Sequence, residues 1–364
     1  MKLEVFVTTT AVFVGVASAQ SFQGLGMLPS YTSSRAADLS GDGTTVIGNT
    51  NPQGQASVRA WRWRAESGME DFGLENAGAR GVSHDGETVV GQSFGVPTYR
   101  WQAGQPTVSV PLPGSNLQPG PGISGDGVTV IGNSNSGGYQ AARWSVSGGV
   151  TNLPIPPTPA GTIVNPFGSS VAFAVNQDAS VIGGARGFRY FSDSISVQRF
   201  GVCRWTASGG QFLLDASGQP VEGVVYDASS DGNTLLVLGS GSTSSFFRWT
   251  QAGGYQSIAG LVFGANDAIP RISGDGSTII SFDKMWTQSR GALPITQILT
   301  ESGATFTGWS GLVATGIDFG ATHLCGYGTN PMGQTEAWYA TIPAPGVSPL
   351  LVVAGVWTAR RRRG

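Results

Sequence analysis

Short apolar runs rich in Val, Ile, Thr and aromatic residues alternate along this chain with glycine-rich polar turns. Ser40-Gly41-Asp42-Gly43 is followed by Thr45-Val46-Ile47-Gly48 and, after a variable loop, by Arg62-Trp63. The same order returns at Ser83-His84-Asp85-Gly86 with Arg100-Trp101, and at Ser124-Gly125-Asp126-Gly127 with Arg143-Trp144. Apolar runs this short, bounded by turn residues, predict strands rather than helices. Each unit parses into four: Ala36–Leu39 before the turn, Thr45–Gly48 after it, Ala60–Trp63, and Gly68–Phe72 outermost. Asp-Gly signals a tight turn, because glycine takes positive φ without a Cβ clash. The serine hydroxyl is expected to hydrogen-bond within that turn.

Two anchors count the units. The turn aspartate recurs at Asp42, Asp85, Asp126, Asp178, Asp231 and Asp275, with a weaker seventh copy at Asp318-Phe319-Gly320-Ala321. The tryptophan recurs at Trp63, Trp101, Trp144, Trp205, Trp249, Trp286 and Trp338. Four antiparallel strands per unit of about 40–50 residues is the sequence form of a propeller blade. The predicted fold class is therefore all-β, a seven-bladed β-propeller spanning residues 20–342. Each tryptophan is expected to bury its ring between adjacent blades while its indole N–H finds a carbonyl. The seventh unit stops after its third strand, Ala337–Ile342, and Phe22–Leu28 matches the fourth-strand pattern. The N-terminal strand is thus expected to complete the last blade, removing the exposed edges of an open array.

Composition narrows the function. Charged residues are 12% of the 364-residue chain, about half the usual ~25%. The net charge is −2 with no basic patch in the body, which argues against nucleic-acid binding. Residues 1–19 read as a secretory signal: Lys2, an apolar run Val5–Val16, then Ala17-Ser18-Ala19 before Gln20. Residues 343–364 read as a sorting or anchor segment. Pro343-Ala344-Pro345-Gly346 precedes an apolar stretch, Val347–Ala359, and Arg360–Arg363. The stretch is short for a stable span, and the arginines are expected on the cytoplasmic side. This tail resembles the PEP-CTERM sorting signal, with Pro-Ala-Pro in place of Pro-Glu-Pro. The resemblance implies export machinery and an exosortase as partners, cleavage near Pro343, and transient or permanent membrane association through residues 347–359.

The repeated wording, Ser-x-Asp-Gly, Val-Ile-Gly, Arg-Trp and Gly-Met, is similar to the HAF family of extracellular repeats over essentially all of residues 24–342. That resemblance implies an exported protein, commonly with a C-terminal sorting tail. The Ser-x-Asp-Gly turn is also similar to the first-hairpin turn of tryptophan-aspartate and TolB-type propellers.

The chemistry is sparse. One Asp-Gly hairpin offers too few oxygens for a calcium site of six to eight ligands, so the aspartates read as structural turn residues. His84 falls at the variable turn position and His323 in a predicted strand, without zinc-type spacing of partners. No phosphate loop or cofactor motif is present, so neither a metal nor a cofactor is expected. Cys203 and Cys325 fall in well-separated repeats and read as two separate buried thiols rather than a bridge. The irregular fourth repeat carries the candidate binding loop. Its second loop, Ala185–Phe200, holds Arg186, Phe188, Arg189, Tyr190, Phe191, Asp193 and Arg199, and the loop leading into its first strand runs from Pro154 to Ser170. Aromatics beside arginines in an exposed loop suit sugar or protein contacts. The expected function is an exported propeller with a structural, adhesive or binding role at the cell surface or matrix. Its partners would be an extracellular polysaccharide or a surface protein. The alternative is a secreted propeller enzyme acting on carbohydrate, of glycoside hydrolase or lyase type, with a carboxylate pair. A third reading is an outer-surface sensor or assembly scaffold that keeps its tail.

Overall fold

The structure, a computed structural model, describes residues 22–343 apart from 51–57, 94–95, 113–121, 135–139, 158–169, 193–194, 241–244 and 265–267. The expected signal and most of the tail, with Ala19, Gln20, Ala344, Pro345, Gly346 and residues 347–359, lie outside the described residues. Seven four-stranded antiparallel sheets form the blades of a propeller. Their innermost strands are Arg35–Leu39, Ala77–Val82, Gly122–Ile123, Ser170–Val175, Gly223–Ala228, Arg271–Ile272 and Ser310–Ile317, which define blades 1 to 7. One short helix, Ile295–Glu301, follows blade 6 and buries Ile295, Ile298 and Leu299.

The ring closes as the sequence predicts. Phe22–Gly24 pairs antiparallel with Thr335–Thr341, matching Phe22 to Ala340 and Gly24 to Trp338. Phe22 then packs its ring 5.2 Å from Trp309 and 5.5 Å from Trp338. An N-terminal strand thus seals the seventh blade with both backbone bonds and aromatic burial.

The Arg-Trp pair works between blades. Trp63 packs against Ala337 and Cys325 of blade 7, Trp144 against Val90 of blade 2, and Trp249 against Val181 and Val202 of blade 4. Each ring therefore fills the seam with the preceding blade. The arginine ties the seam on the other side. Arg100 donates to the Gly127 carbonyl and Arg248 to the Gly276 carbonyl, each in the following blade. In blade 7, Tyr339 holds the arginine position and its hydroxyl donates to the Gly43 carbonyl at 3.0 Å.

Two registers in blade 7 differ from expectation. Trp338 lies opposite Gly326, as Trp61 lies opposite Gly48, so it matches Trp61 and not Trp63. Ala340 stands there at the position of the tryptophan of the Arg-Trp pair. Trp338 is fully buried, but its indole N–H has no partner among the described residues; of the seven rings, Trp205 does donate, to the Pro154 carbonyl at 2.7 Å. Asp318 fills the serine position of its turn, since the His323 amide donates to its carboxylate as the Thr45 amide donates to Ser40 Oγ. Sequence matching on the acidic residue alone shifted that copy. Cys203 and Cys325 are buried free thiols in blades 4 and 7.

Candidate functional site

The Ser-x-Asp-Gly turn is a closed hydrogen-bonded unit. Ser40 Oγ donates to Asp42 Oδ1 at 2.6 Å and accepts from the Thr45 amide at 2.9 Å. The same pair of bonds recurs at Ser83, Ser229 and Ser273. In the fourth copy Asn176 replaces the serine: its Oδ1 accepts from the Val181 amide and its Nδ2 donates to Asp178. The repeated aspartates therefore spend their oxygens on the turn. The Ser229 hydroxyl holds Asp231 below the usual carboxylate range, and Ser180 does the same for Asp178.

The variable residue of the motif has a place that its variability hides. It faces the central axis and links neighbouring turns in a ring of backbone bonds. His84 N–H donates to Gly125 O, Gln177 to Ser230, Ser230 to Gly274, Gly274 to Phe319, and Phe319 to Gly41. The amides of Asp42 and Asp126 complete the ring by donating to His84 and Gln177. Each large side chain here is flanked by glycine or serine, because the seven must share one axis. His84 and Phe319 rings lie 4.7 Å apart, and a Cβ on Gly41 would strike both. Gln177 lies over Gly125 in the same way. This plug narrows the channel at the turn end, so His84 serves packing at the axis.

One layer inward, the register aligns Asp38, Gly81, Gly122, Ala174, Asp227, Arg271 and Gly316 around the channel. Three of the seven are charged, and they form the most polar feature of the core. Arg271 of blade 6 reaches past Gly316 of blade 7 to Asp38 of blade 1, with Nη2 3.2 Å from Oδ2. Gly316 lets blade 1 pack closely on blade 7, because a Cβ there would lie 2.6 Å from the Leu39 nitrogen. Arg271 also donates to the Arg80 carbonyl. Asp227 accepts from the Ala228 amide and, across the seam, from Ile272, each at 2.9 Å. Asp38 accepts from its neighbour Leu39 at 3.0 Å. Burial pushes Asp38 up to about 6, against the pull of Arg271, and Asp227 adds to the rise. Burial raises Asp227 too. Burial alone would weaken the charge on Arg271, but Asp38 and Asp227 outweigh it. The group is a clasp across blades 1, 5 and 6, and it lines a cavity of about 100 Å³ together with Arg80 and Phe173.

The channel wall is shaped by bulges. Ala37, Arg80, Phe173, Tyr226 and Thr315 are the extra residues where five of the inner strands slip register. Bulges of this kind re-aim side chains and cluster at functional sites. No spacing rule in the sequence marked this set, and composition gave no sign of it. Asp38, Asp227 and Arg271 were equally unmarked, because they fall outside the repeated wording.

The fourth repeat departs from its expected form. Ala185–Phe200 is not a loop but an extension of two paired strands, Ile182–Ser192 and Ile195–Thr206. The register runs from Phe188 opposite Arg199, through Arg189 and Tyr190, to Phe191 opposite Ser196. Alternating apolar and polar residues let the hairpin continue where turn residues are absent. Asp193 lies outside the described residues. Arg186 is separated from the rest: it is buried at the hairpin base and donates to the Pro156 carbonyl. Gly91-Gln92-Ser93-Phe94-Gly95 has the spacing of a nucleophile elbow, but Ser93 ends a strand that is followed by another strand, Val96–Gln102, not by a helix.

No protein-family model and no curated protein matches the chain. Solved structures do. The β-propeller domain of the Trilobed protease from Pyrococcus furiosus aligns with a TM-score of 0.55 at 12% identity, covering 86% of this chain and 96% of that one. Oligogalacturonate lyase from Vibrio parahaemolyticus aligns at 0.51 and 10% identity, covering 90% and 98%. The Cps50 propeller domain from Myceliophteria thermophila aligns at 0.50 and 12% identity, covering 88% and 99%. At these identities the likeness shows the fold alone.

Proposed function

We propose that this chain is an exported binding propeller, without catalysis of its own, that presents the loop face opposite the plug to a surface or matrix partner. The observation that carries this reading is the blade 4 hairpin. Its two strands have 11 and 12 residues, whereas the corresponding strands of every other blade have 4 to 7. One blade therefore projects beyond the rest, and the projecting part carries Phe188, Arg189, Tyr190 and Phe191. A projecting hairpin that carries aromatic and arginine residues is suited to recognition, because those residue types dominate binding hot spots. The test replaces residues 188–199 with an Asn-Gly turn, which closes a two-residue hairpin. Thermal stability is expected to hold while association with the cell-surface or matrix fraction is lost. Association that survives the deletion would overturn the reading. Export is tested separately by mass spectrometry of the mature chain. The proposal expects an N-terminus at Gln20 and a cut near Pro343; a retained Arg360–Arg363 cluster would favour a permanent anchor.

A further inference from the structure

We propose that the mouth of the central channel is a binding site for the end of a neutral saccharide chain. The inference rests on the reading that the loop face is the binding face, and it places the ligand in the channel rather than on the hairpin. An aromatic series leads out of the cavity on one side. Phe173 is buried and lines it; Tyr226 follows with its ring centroid 6.3 Å away, and Phe263 lies 5.5 Å beyond that, edge to face and 40% exposed. The series thus passes from the cavity wall to solvent across blades 4 and 5 and the segment that follows. Across the floor stand Asp38, Asp227 and Arg271, two of them joined at 3.2 Å. The mouth is therefore two-sided, apolar and aromatic on one flank and charged on the other.

This chemistry selects the ligand. The carboxylates of Asp38 and Asp227 share the one guanidinium of Arg271, which is already paired with Asp38, so the floor disfavours an anionic ligand such as a uronate. A neutral polyol gains instead, because hydroxyls both donate to carboxylates and accept from guanidinium N–H groups, the stronger class of hydrogen bond. The polarised C–H face of a sugar ring meets the negative face of an aromatic ring. An extended peptide presents one donor and one acceptor per residue spread along its length, whereas the floor concentrates its polar groups in one place. The plug of His84, Phe319 and Gln177 narrows the turn end of the channel, so a chain enters by its end rather than threading through.

The full chain is applied to an array of neutral oligosaccharides, uronic-acid oligosaccharides and unmodified peptides. The expected result is binding to neutral glycans with little dependence on salt. Tyr226→Ala with Phe263→Ala is expected to weaken it roughly tenfold or more, a loss of about 1.4 kcal/mol per decade. Tyr226→Phe should restore most of the binding, which separates loss of the aromatic face from loss of fold. The chain shortened at 188–199 is expected to keep its glycan binding. No glycan binding by the unaltered chain overturns the proposal, as does selective binding of uronic acids or peptides. Glycan binding lost with the hairpin but unchanged in the Tyr226 and Phe263 variants also overturns it, while leaving the loop face as the binding face.

Discussion

Asp231 and Asp227 lie close together in blade 5, and the protein uses them in opposite ways. Asp231 sits in the turn, accepts from the Ser229 hydroxyl at 2.6 Å and from the Asn233 amide, and is held below its ordinary range. Asp227 sits on the channel wall, where burial raises it. Asp42 and Asp38 repeat the arrangement in blade 1: turn hydrogen bonds for the first, and burial beside Arg271 for the second, which rises to about 6. The same carboxylate is thus a turn staple where donors surround it and water reaches it. It becomes an electrostatic liability where the fold removes water and supplies one guanidinium for two acids. Local hydrogen bonding decides the first case and desolvation the second.

Removing the guanidinium breaks the comparison most severely. Arg271→Met leaves Asp38 and Asp227 facing each other in a buried channel. The expected loss is about 3–5 kcal/mol of unfolding free energy at neutral pH, because an uncompensated buried charge costs more than the pair contributes. Urea denaturation checks it, and the loss should shrink as pH falls and the acids protonate. A loss that is independent of pH would mean that the arginine acts by packing alone.

The two aspartate classes also predict opposite limbs of the stability curve. A carboxyl raised in the folded state, such as Asp38, adds stability that is complete below its unfolded value of 3.8 and lost as pH rises through about 6. Stability should therefore increase by about 1–3 kcal/mol from pH 8 to pH 5. The turn acids act in the other direction. Asp231, Asp178 and Asp275 are lowered, so their contribution is present above 3.8 and lost as pH falls below it. Melting temperatures between pH 3 and pH 8 should peak near pH 4. Asp38→Asn should flatten the alkaline limb and Asp231→Asn the acid limb. If each variant changes both limbs equally, the two classes are not distinct.

How legible was this contrast in the sequence? The turn class was plain, because its chemistry is local: Ser, Asp and Gly within a few residues close every bond that they need. Blade number and ring closure followed from the same repetition. The channel class was hidden, because Asp38, Asp227 and Arg271 meet only after seven blades curl round one axis. Blade 7 shows the limit of matching by residue type. Trp338 and Asp318 have the expected identities in shifted positions, and only strand register exposed the shift. The blade 4 insertion was visible as an anomaly, but its hairpin form depended on pairing that spacing alone did not reveal.

A smaller loss tests the turn itself. Ser229→Ala removes the hydroxyl that donates to Asp231 and accepts from the Thr234 amide at 2.9 Å. The amide is left in a buried turn without its partner. The expected cost is about 1–2 kcal/mol, with the Asp231 contribution to the acid limb reduced in the same variant. Thermal denaturation at pH 7 and pH 4 measures both effects.

The smallest effect is a gain, and it uses the two imperfect turns as their own control. Gly43 holds φ at +75° in the first copy, as the motif requires. The corresponding residues in copies four and seven are Ala179 at +56° and Ala321 at +51°. An L-residue with a Cβ pays about 1–2 kcal/mol in that region, whereas glycine does not. Glycine also enlarges the unfolded ensemble, which offsets about 0.4–1 kcal/mol of the relief. Ala179→Gly and Ala321→Gly should therefore each stabilise by about 0.5–1 kcal/mol. Gly232→Ala, at φ +68° in an intact copy, should destabilise by more, because its Cβ would lie 2.5 Å from a Val181 methyl in blade 4. Opposite signs in the two directions would show that the repeated glycine is kept for backbone geometry. A stabilising or neutral Gly232→Ala would instead place the turn's stability in its Ser-Asp hydrogen bonds alone.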